Sequence, residues 1–112
     1  MDGKIDTREK FVVVTPNSPV LSANIAANLI ELCTNQLEQP VRNIILNLSN
    51  AQSIEPDAAL GLARIQQMAY ENNASFVICC LQPAVETLLD SSELLETLNI
   101  TPTESEAWDI VQ

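Results

Sequence analysis

A chain of 112 residues with 46% hydrophobic and only 4% aromatic residues fits one compact domain, residues 1–112, with an aliphatic core. Its 18% charged residues are too few for an intrinsically disordered protein, and no apolar run approaches the roughly 20 residues that a membrane-spanning helix needs. The formal net charge of −10 disfavours binding to nucleic acid or to an anionic membrane. It allows a basic protein partner, and solubility alone also explains it.

The first half of the chain predicts two strands around one helix. Residues 1–10 are polar and are expected to contribute at most a short edge strand, whereas Phe11–Thr15 is β-branched and apolar and predicts a strand. After a turn with two prolines, Ser22–Glu38 has apolar residues at helical spacing, and Ser22 is placed to cap this helix. Consecutive apolar residues in Asn43–Leu48 predict a central strand buried on both faces.

The second half continues the alternation of strands and helices. Asp57–Asn72 predicts a helix, Ser75–Leu81 an apolar strand, and Pro83–Asp90 a helix that begins at a proline. The remaining predicted elements are one or two helical turns within Ser92–Leu98, a short strand at Asn99–Thr101, and a last helix at Thr103–Val111. In that last helix Ala107, Ile110 and Val111 are expected to face inward, and Trp108 is expected to pack on the edge of the sheet.

This order of elements predicts an α/β fold. Strands that alternate with helices imply a mixed, mostly parallel sheet of about four to five strands, joined by crossover helices. We expect the helices to pack mainly on one face of the sheet. The chain has no internal repeat and no interdomain linker.

Several residue types that enzymes use are missing. The chain has no histidine, and its two glycines, Gly3 and Gly61, lie in no dinucleotide-binding or phosphate-binding motif. Adjacent cysteines in a strand point to opposite faces, so Cys79 and Cys80 are not expected to hold a metal together. We therefore expect a protein that is not an enzyme and that has no cofactor or metal. Reduced thiols, together with an N-terminal segment that lacks an apolar signal region, favour the cytoplasm.

The junction before the second predicted helix is the most informative part of the sequence. Glu55 precedes a proline and is therefore biased towards extended backbone angles, while Pro56 suits the first position of a helix. Asp57 follows within the first turn, where unpaired N–H groups and the helix dipole favour an anion. An acidic residue at this position is also a common stabilising choice, so these residues alone do not indicate a function.

The chain resembles the STAS domain of bacterial anti-sigma factor antagonists over roughly Phe11 to Val111. The resemblance lies in Leu46-Asn47-Leu48-Ser49, in Ile54-Glu55-Pro56-Asp57-Ala58, and in Leu81-Gln82-Pro83-Ala84-Val85, which correspond to three motifs of that family. Ser22-Ala23-Asn24 also fits the start of the first helix of the family, and the Ser92-Glu93-Leu94 region fits its T-G-L turn. The resemblance implies a SpoIIAA-like fold.

The resemblance also implies a function. In the family a serine or threonine that opens the second helix is phosphorylated by a partner kinase, which is also the anti-sigma factor, of the histidine-kinase-like ATPase type. Asp57 occupies that phospho-acceptor position here, so it either imitates the phosphorylated state or marks a lost switch. The expected partner-binding residues are Glu55, Pro56, Asp57, Ala58 and Gly61, with Ser22, Asn24 and Ser53 as flanking residues.

Two alternatives to this regulatory function stay open. STAS-like domains attached to transporters or sensors suggest a module that senses a nucleotide or a lipid, although this chain lacks a glycine loop that would hold phosphate. The chain could instead be a subunit of a larger assembly without a phosphorylation switch. The sequence does not decide whether the protein forms a homodimer.

Overall fold

A computed structural model describes residues 3–111. In chain order its elements are β1 Gly3–Thr7, β2 Phe11–Pro16, β3 Val20–Leu21, α1 Ala23–Gln36, β4 Asn43–Asn47, β5 Ser53–Ile54, α2 Pro56–Glu71, β6 Phe76–Cys79, α3 Pro83–Ser91, β7 Ile100–Thr101 and α4 Glu104–Val111. The predicted strands and the four main helices are all present, with boundaries shifted by a few residues. None of the helices within residues 3–111 is both long and apolar enough to cross a membrane.

The main sheet has five strands in the order β1-β2-β4-β6-β7. β1 is antiparallel to β2 and forms one edge, and the other neighbouring pairs are parallel. The edge strand expected within residues 1–10 is therefore present. The predicted mixed, mostly parallel α/β sheet is confirmed.

Helices cover both faces of this sheet, which explains why its central strands are apolar at consecutive positions. Val12 and Val14 of β2 point into the larger core beneath α1, α2 and α3, whereas Phe11 and Val13 point to a smaller cluster beneath α4. Three helices thus lie on one face and one helix on the other, in agreement with helices packed mainly on one face. The aliphatic core expected from the composition follows from this arrangement, with Phe76 as its one fully buried aromatic residue.

Helices α1 and α2 approach each other closely because one contact position lacks a side chain. A Cβ atom built on Gly61 of α2 would lie 3.3 Å from the Cβ of Ala26 and 3.6 Å from Cδ1 of Ile30, both in α1. The hydroxyl of Thr34 in α1 lies 3.8 Å from the sulfur of Met68 in α2, so the contact extends along both helices.

The second face of the sheet carries α4 and the single tryptophan. The ring centroid of Trp108 lies 5.5 Å from that of Phe11 in β2, and the Arg8 guanidinium carbon lies 5.1 Å from the Trp108 ring centroid. Trp108 therefore packs on the face of the sheet, where the prediction placed it at the edge. The prediction that Ile110 faces inward was wrong, because Ala107 and Val111 occupy the buried side of α4 and Ile110 is 54% exposed.

The segment between α3 and β7 forms hydrogen-bonded turns and contains no helix. A left-handed backbone at Glu93, with φ of 61°, interrupts helical continuation from α3. The side-chain amide of Gln66 in α2 then binds the segment from outside, donating to the Thr97 carbonyl at 2.6 Å and accepting from Asn99 N–H at 2.7 Å. One of the one or two helical turns predicted within Ser92–Leu98 is present, because the Leu98 N–H donates to the Leu94 carbonyl at 2.9 Å, but it does not continue into a helix.

Candidate docking site at two helix starts

Two short strands join the loops that precede α1 and α2. β3 and β5 pair in parallel, with Val20 opposite Ser53 and Leu21 opposite Ile54. The N–H of Glu55 donates to the carbonyl of Leu21 at 3.0 Å, which extends the contact to the start of α2. The sequence pattern predicts neither strand, because each has only two residues, which is too short for a periodic pattern.

The start of α1 is closed by hydrogen bonds from both loops. Ser22 caps the helix as expected, its Oγ accepting from Ile25 N–H at 3.3 Å. A carboxylate oxygen of Glu55, Oε1, accepts from Ala23 N–H at 2.8 Å across the two loops. Two of the N–H groups left unpaired at any helix start are therefore satisfied here by side chains. Glu55 was expected to bind a partner, and in the structure its carboxylate also accepts a hydrogen bond within the protein.

The start of α2 is more open. Glu55 is its N-cap residue, with extended backbone angles, but its side chain is directed to α1 and gives α2 no cap hydrogen bond. Pro56 has no N–H to satisfy. Asp57 follows in the first turn with an exposed side chain. Its carboxylate thus lies near the positive end of the helix dipole and in contact with solvent.

The other expected site residues divide into exposed and packed ones. Asn24 and Pro56 are exposed, and Ser53 is half-buried in β5. Ala58 is completely buried, so it cannot present its side chain to a partner. Gly61 faces α1, because a Cβ atom built on it would lie 3.3 Å from the Cβ of Ala26. We therefore correct the expected surface by removing Ala58 and by assigning Gly61 to the contact between the two helices.

The structure adds an apolar residue that the sequence analysis did not select. Leu60 lies one turn after Asp57 and is 62% exposed, so an apolar side chain stands beside the carboxylate. The sequence contains a signal for this exposure, because Leu60 does not fall on the face of the helix that is predicted to point inward. That face consists of Leu62, Ile65, Met68 and Ala69. We name the exposed residues of the two first turns, together with Leu60 in the second turn of α2, the helix-start surface, which consists of Ala23, Asn24, Pro56, Asp57 and Leu60.

The cysteines correct another prediction. The sulfur atoms of Cys79 and Cys80 lie 3.4 Å apart, although side chains of neighbouring strand residues were expected on opposite faces. The strand ends at Cys79, and Cys80 has a left-handed backbone with φ of 64°, so the alternation of faces stops between them. Burial raises the pKa of the Cys33 thiol to about 12, and it also raises the pKa of Cys79. Within residues 3–111 no group of three or more histidine, cysteine or acidic side chains is arranged to hold a metal ion.

The family model of the STAS domain matches residues 4–107. The chain belongs to the STAS domain family. No curated protein matches it. Similar solved structures show the same STAS fold. Protein TM1081 of Thermotoga maritima is 22% identical, with a TM-score of 0.85 over 97% of this chain and 93% of that protein.

Two further STAS structures are also similar in fold. An anti-sigma factor antagonist of Mycobacterium paratuberculosis is 15% identical, with a TM-score of 0.83 over 98% of this chain and 92% of that one. The anti-sigma factor antagonist SpoIIAA in its unphosphorylated form is 16% identical, with a TM-score of 0.78 over 98% of this chain and 96% of that one. The SpoIIAA-like fold expected from the sequence is confirmed.

Proposed function

We propose that this STAS domain is a non-catalytic regulatory protein that acts by binding another protein through its helix-start surface. The observation that carries the proposal is the exposed Asp57 carboxylate in the first turn of α2, next to the exposed Leu60. Asp57 occupies the position that the resemblance assigns to a phospho-acceptor. The anti-sigma factor antagonists of the same fold support a role of this kind.

The shape and chemistry of this surface suit a protein partner. Leu60 offers an apolar contact, Asp57 a fixed negative charge, and Asn24 a polar group, all at the two helix starts that β3 and β5 hold together. Apolar residues beside polar ones are typical of the centre and rim of protein interfaces. The positions of the two first turns are fixed before binding, because the Glu55 carboxylate joins the α1 start to the α2 start.

We infer that Asp57 holds the protein in the state that relatives reach by phosphorylation. A carboxylate has one negative charge where a phosphoserine has about two, so the imitation is incomplete but permanent. The proposed partner is a serine kinase that is also an anti-sigma factor, of the histidine-kinase-like ATPase type. Asp57 would then keep the affinity for that kinase low, and a different regulatory protein could bind the anionic surface instead.

The test compares four purified proteins in binding assays against the anti-sigma factor kinases of the source organism. We expect Asp57→Ser to bind one such kinase at least about tenfold more tightly than wild type and to become phosphorylated on the new serine. Adding Leu60→Asp to Asp57→Ser should weaken that binding about tenfold, because it places a charge in the apolar part of the surface. Equal affinity of wild type and Asp57→Ser for every kinase would contradict the proposal.

Tyr70→Asp, made in the Asp57→Ser background, is the matched control. Tyr70 is 77% exposed on the same helix, about 20 Å from Asp57 along the helix axis. The control adds the same charge to an exposed apolar position, so we expect no change in kinase binding. A loss of binding as large as that of Leu60→Asp would mean that the partner does not recognise the helix-start surface.

A further inference from the structure

The edge strand β1 leaves one side of its backbone without a neighbouring strand within the described part of the chain. Gly3–Thr7 pairs with β2 on one side only, and its other side is the end of the five-stranded sheet. An unpaired edge is a template for a further strand. Ile5 in the middle of β1 is 52% exposed, so an apolar side chain accompanies the open backbone edge.

The sequence of β1 limits what can pair with it. When two copies of one strand pair antiparallel about a two-fold axis, the axis must pass through a residue that faces its own copy. The reason is that adjacent residues of a strand direct their N–H and C=O groups to opposite sides, so facing residues must be an even number of positions apart in the sequence. An axis at Lys4 would place two lysines face to face, and an axis at Asp6 would place two aspartates face to face. Like charges directly opposite each other destabilise strand pairing.

An axis at Ile5 gives a complementary arrangement. Ile5 then faces Ile5 of the second copy, Lys4 faces Asp6 in both directions, and Gly3 faces Thr7. All five residues of β1 are paired in this register. A lysine on an edge strand normally discourages pairing with another strand. In this register, however, Lys4 of each copy faces Asp6 of the other copy, which gives two pairs of opposite charge.

The surroundings of β1 also favour a second copy of the chain. Residues 3–10 carry three basic and two acidic side chains, although the whole chain has a net charge of −10. Two copies of this acidic protein therefore repel each other least at this edge. Asp6 already accepts from Arg8 at 2.9 Å, and its carboxylate has acceptor positions left for a lysine.

Ile5 also forms one wall of a groove against α1. The groove has a volume of about 330 Å³ and is lined from the helix by Asn28, Glu31, Leu32 and Asn35. Ile5 lies opposite Val14 in the pairing of β1 with β2, on the same face of the sheet as α1. In the two-fold arrangement the second Ile5 lies at the mouth of this groove and covers apolar surface.

We propose that β1 pairs antiparallel with β1 of a second copy about a two-fold axis at Ile5, which joins two sheets into one of ten strands. The proposal is separate from the proposed function, because no residue of β1 belongs to the helix-start surface. A contact of five residues on each side buries less area than a standard stable interface, so the dimer forms only at high protein concentration.

The first experiment is a sedimentation velocity series on the whole protein. We expect the mass to rise from 12.3 kDa towards twice that value between about 10 μM and 1 mM. Lys4→Asp and Asp6→Lys should each weaken the dimer about tenfold, because each places like charges opposite each other at two sites. The double variant Lys4→Asp/Asp6→Lys should recover dimer formation, since the opposite-charge pairs return with their signs exchanged.

The second experiment fixes the position of the axis by disulfide formation in a Cys80→Ser background. Facing strand residues have Cα atoms about 4.5–5.5 Å apart, which a disulfide can bridge. Ile5→Cys should therefore form a cross-linked dimer under mild oxidation. Thr7→Cys is the matched control on the same face, because its two copies would lie about 14 Å apart along the strands. The buried Cys33 and Cys79 have raised pKa values and should not react.

A wild-type protein that stays at 12.3 kDa up to about 1 mM would overturn the proposal. A double variant no better than the single ones, or cross-linking of Thr7→Cys as efficient as that of Ile5→Cys, would also overturn it. A variant that changes kinase binding but leaves the sedimentation mass unchanged would test the proposed function and would say nothing about the pairing of β1. The two proposals can therefore fail independently.

Discussion

The starts of α1 and α2 lie side by side but are completed in different ways. α1 has its own cap at Ser22 and a second hydrogen bond from the Glu55 carboxylate. α2 has no side-chain cap from Glu55, begins with a proline, and exposes Asp57 in its first turn. The same Glu55 thus completes α1 with its side chain and leaves α2 open.

The two helix starts differ in how many of their polar groups are bonded within the protein. Side chains satisfy two N–H groups in the first turn of α1, whereas α2 exposes the Asp57 carboxylate in its first turn and Leu60 in its second. The two loops therefore join the start of α2 to that of α1 and leave the Asp57 carboxylate exposed to solvent. Substitutions in the two starts should affect stability and binding to different degrees.

The largest expected effect on stability comes from the contact that holds the two helices together. Gly61→Leu places a branched side chain against Ala26 and Ile30 of α1, which should cost about 1–3 kcal/mol of unfolding free energy. Urea denaturation measures this loss. Gly61→Ala is the control, and we expect it to stay within about 1 kcal/mol of wild type, because its better helix propensity opposes mild crowding. A fully stable Gly61→Leu would show that the helices do not touch there.

The next effect concerns the closed start of α1. Ser22→Ala and Glu55→Ala each remove an acceptor from an N–H group of the first turn, and each should cost about 0.5–1 kcal/mol. Thermal unfolding followed by circular dichroism is the measurement. Glu71→Ala at the last residue of α2 removes the same charge without a cap and should not destabilise the protein. If Glu55→Ala behaves like Glu71→Ala, the bond between the two starts is not stabilising.

The smallest effect concerns the open start of α2. Asp57→Asn removes a negative charge from the first turn, and the loss should be about 0.3–1 kcal/mol at low salt. The loss should shrink when the ionic strength is raised to about 1 M, because the side chain is exposed and salt screens its interaction with the dipole. Urea denaturation at both salt concentrations is the measurement. A salt-independent loss would indicate a short-range hydrogen bond.

Local pattern was sufficient for most of the fold. Alternating strand and helix periods predicted the mostly parallel sheet, and Ser22 and Pro56 marked two helix starts correctly. The sequence pattern did not predict the structure where tertiary contacts, and not local periodicity, determine the backbone. Gln66 binds the segment before β7, where only one of the predicted helical turns forms, and the left-handed backbone of Cys80 brings its sulfur to that of Cys79. β3 and β5 exist only because their two loops meet.

The candidate site was predicted in part. The sequence located Asp57 in the first turn of α2, and the proline before it fixed that boundary. Helical spacing also places Ala58 on the inward side of α2 and Leu60 outside it, as the structure has them. It could not show that Gly61 contacts α1. That contact depends on which side of α2 packs against α1, and helical spacing alone does not show which element a given side of the helix contacts.

The sequence by itself determined the order of the elements, the aliphatic core and the acidic residue at the start of α2, because these follow from local propensity and composition. Tertiary structure alone decided that the Glu55 carboxylate completes α1 and that the two helix starts form one surface. The physical reason is that a hydrogen bond between residues 32 positions apart depends on how the chain folds back, and local propensity carries no information about that distance.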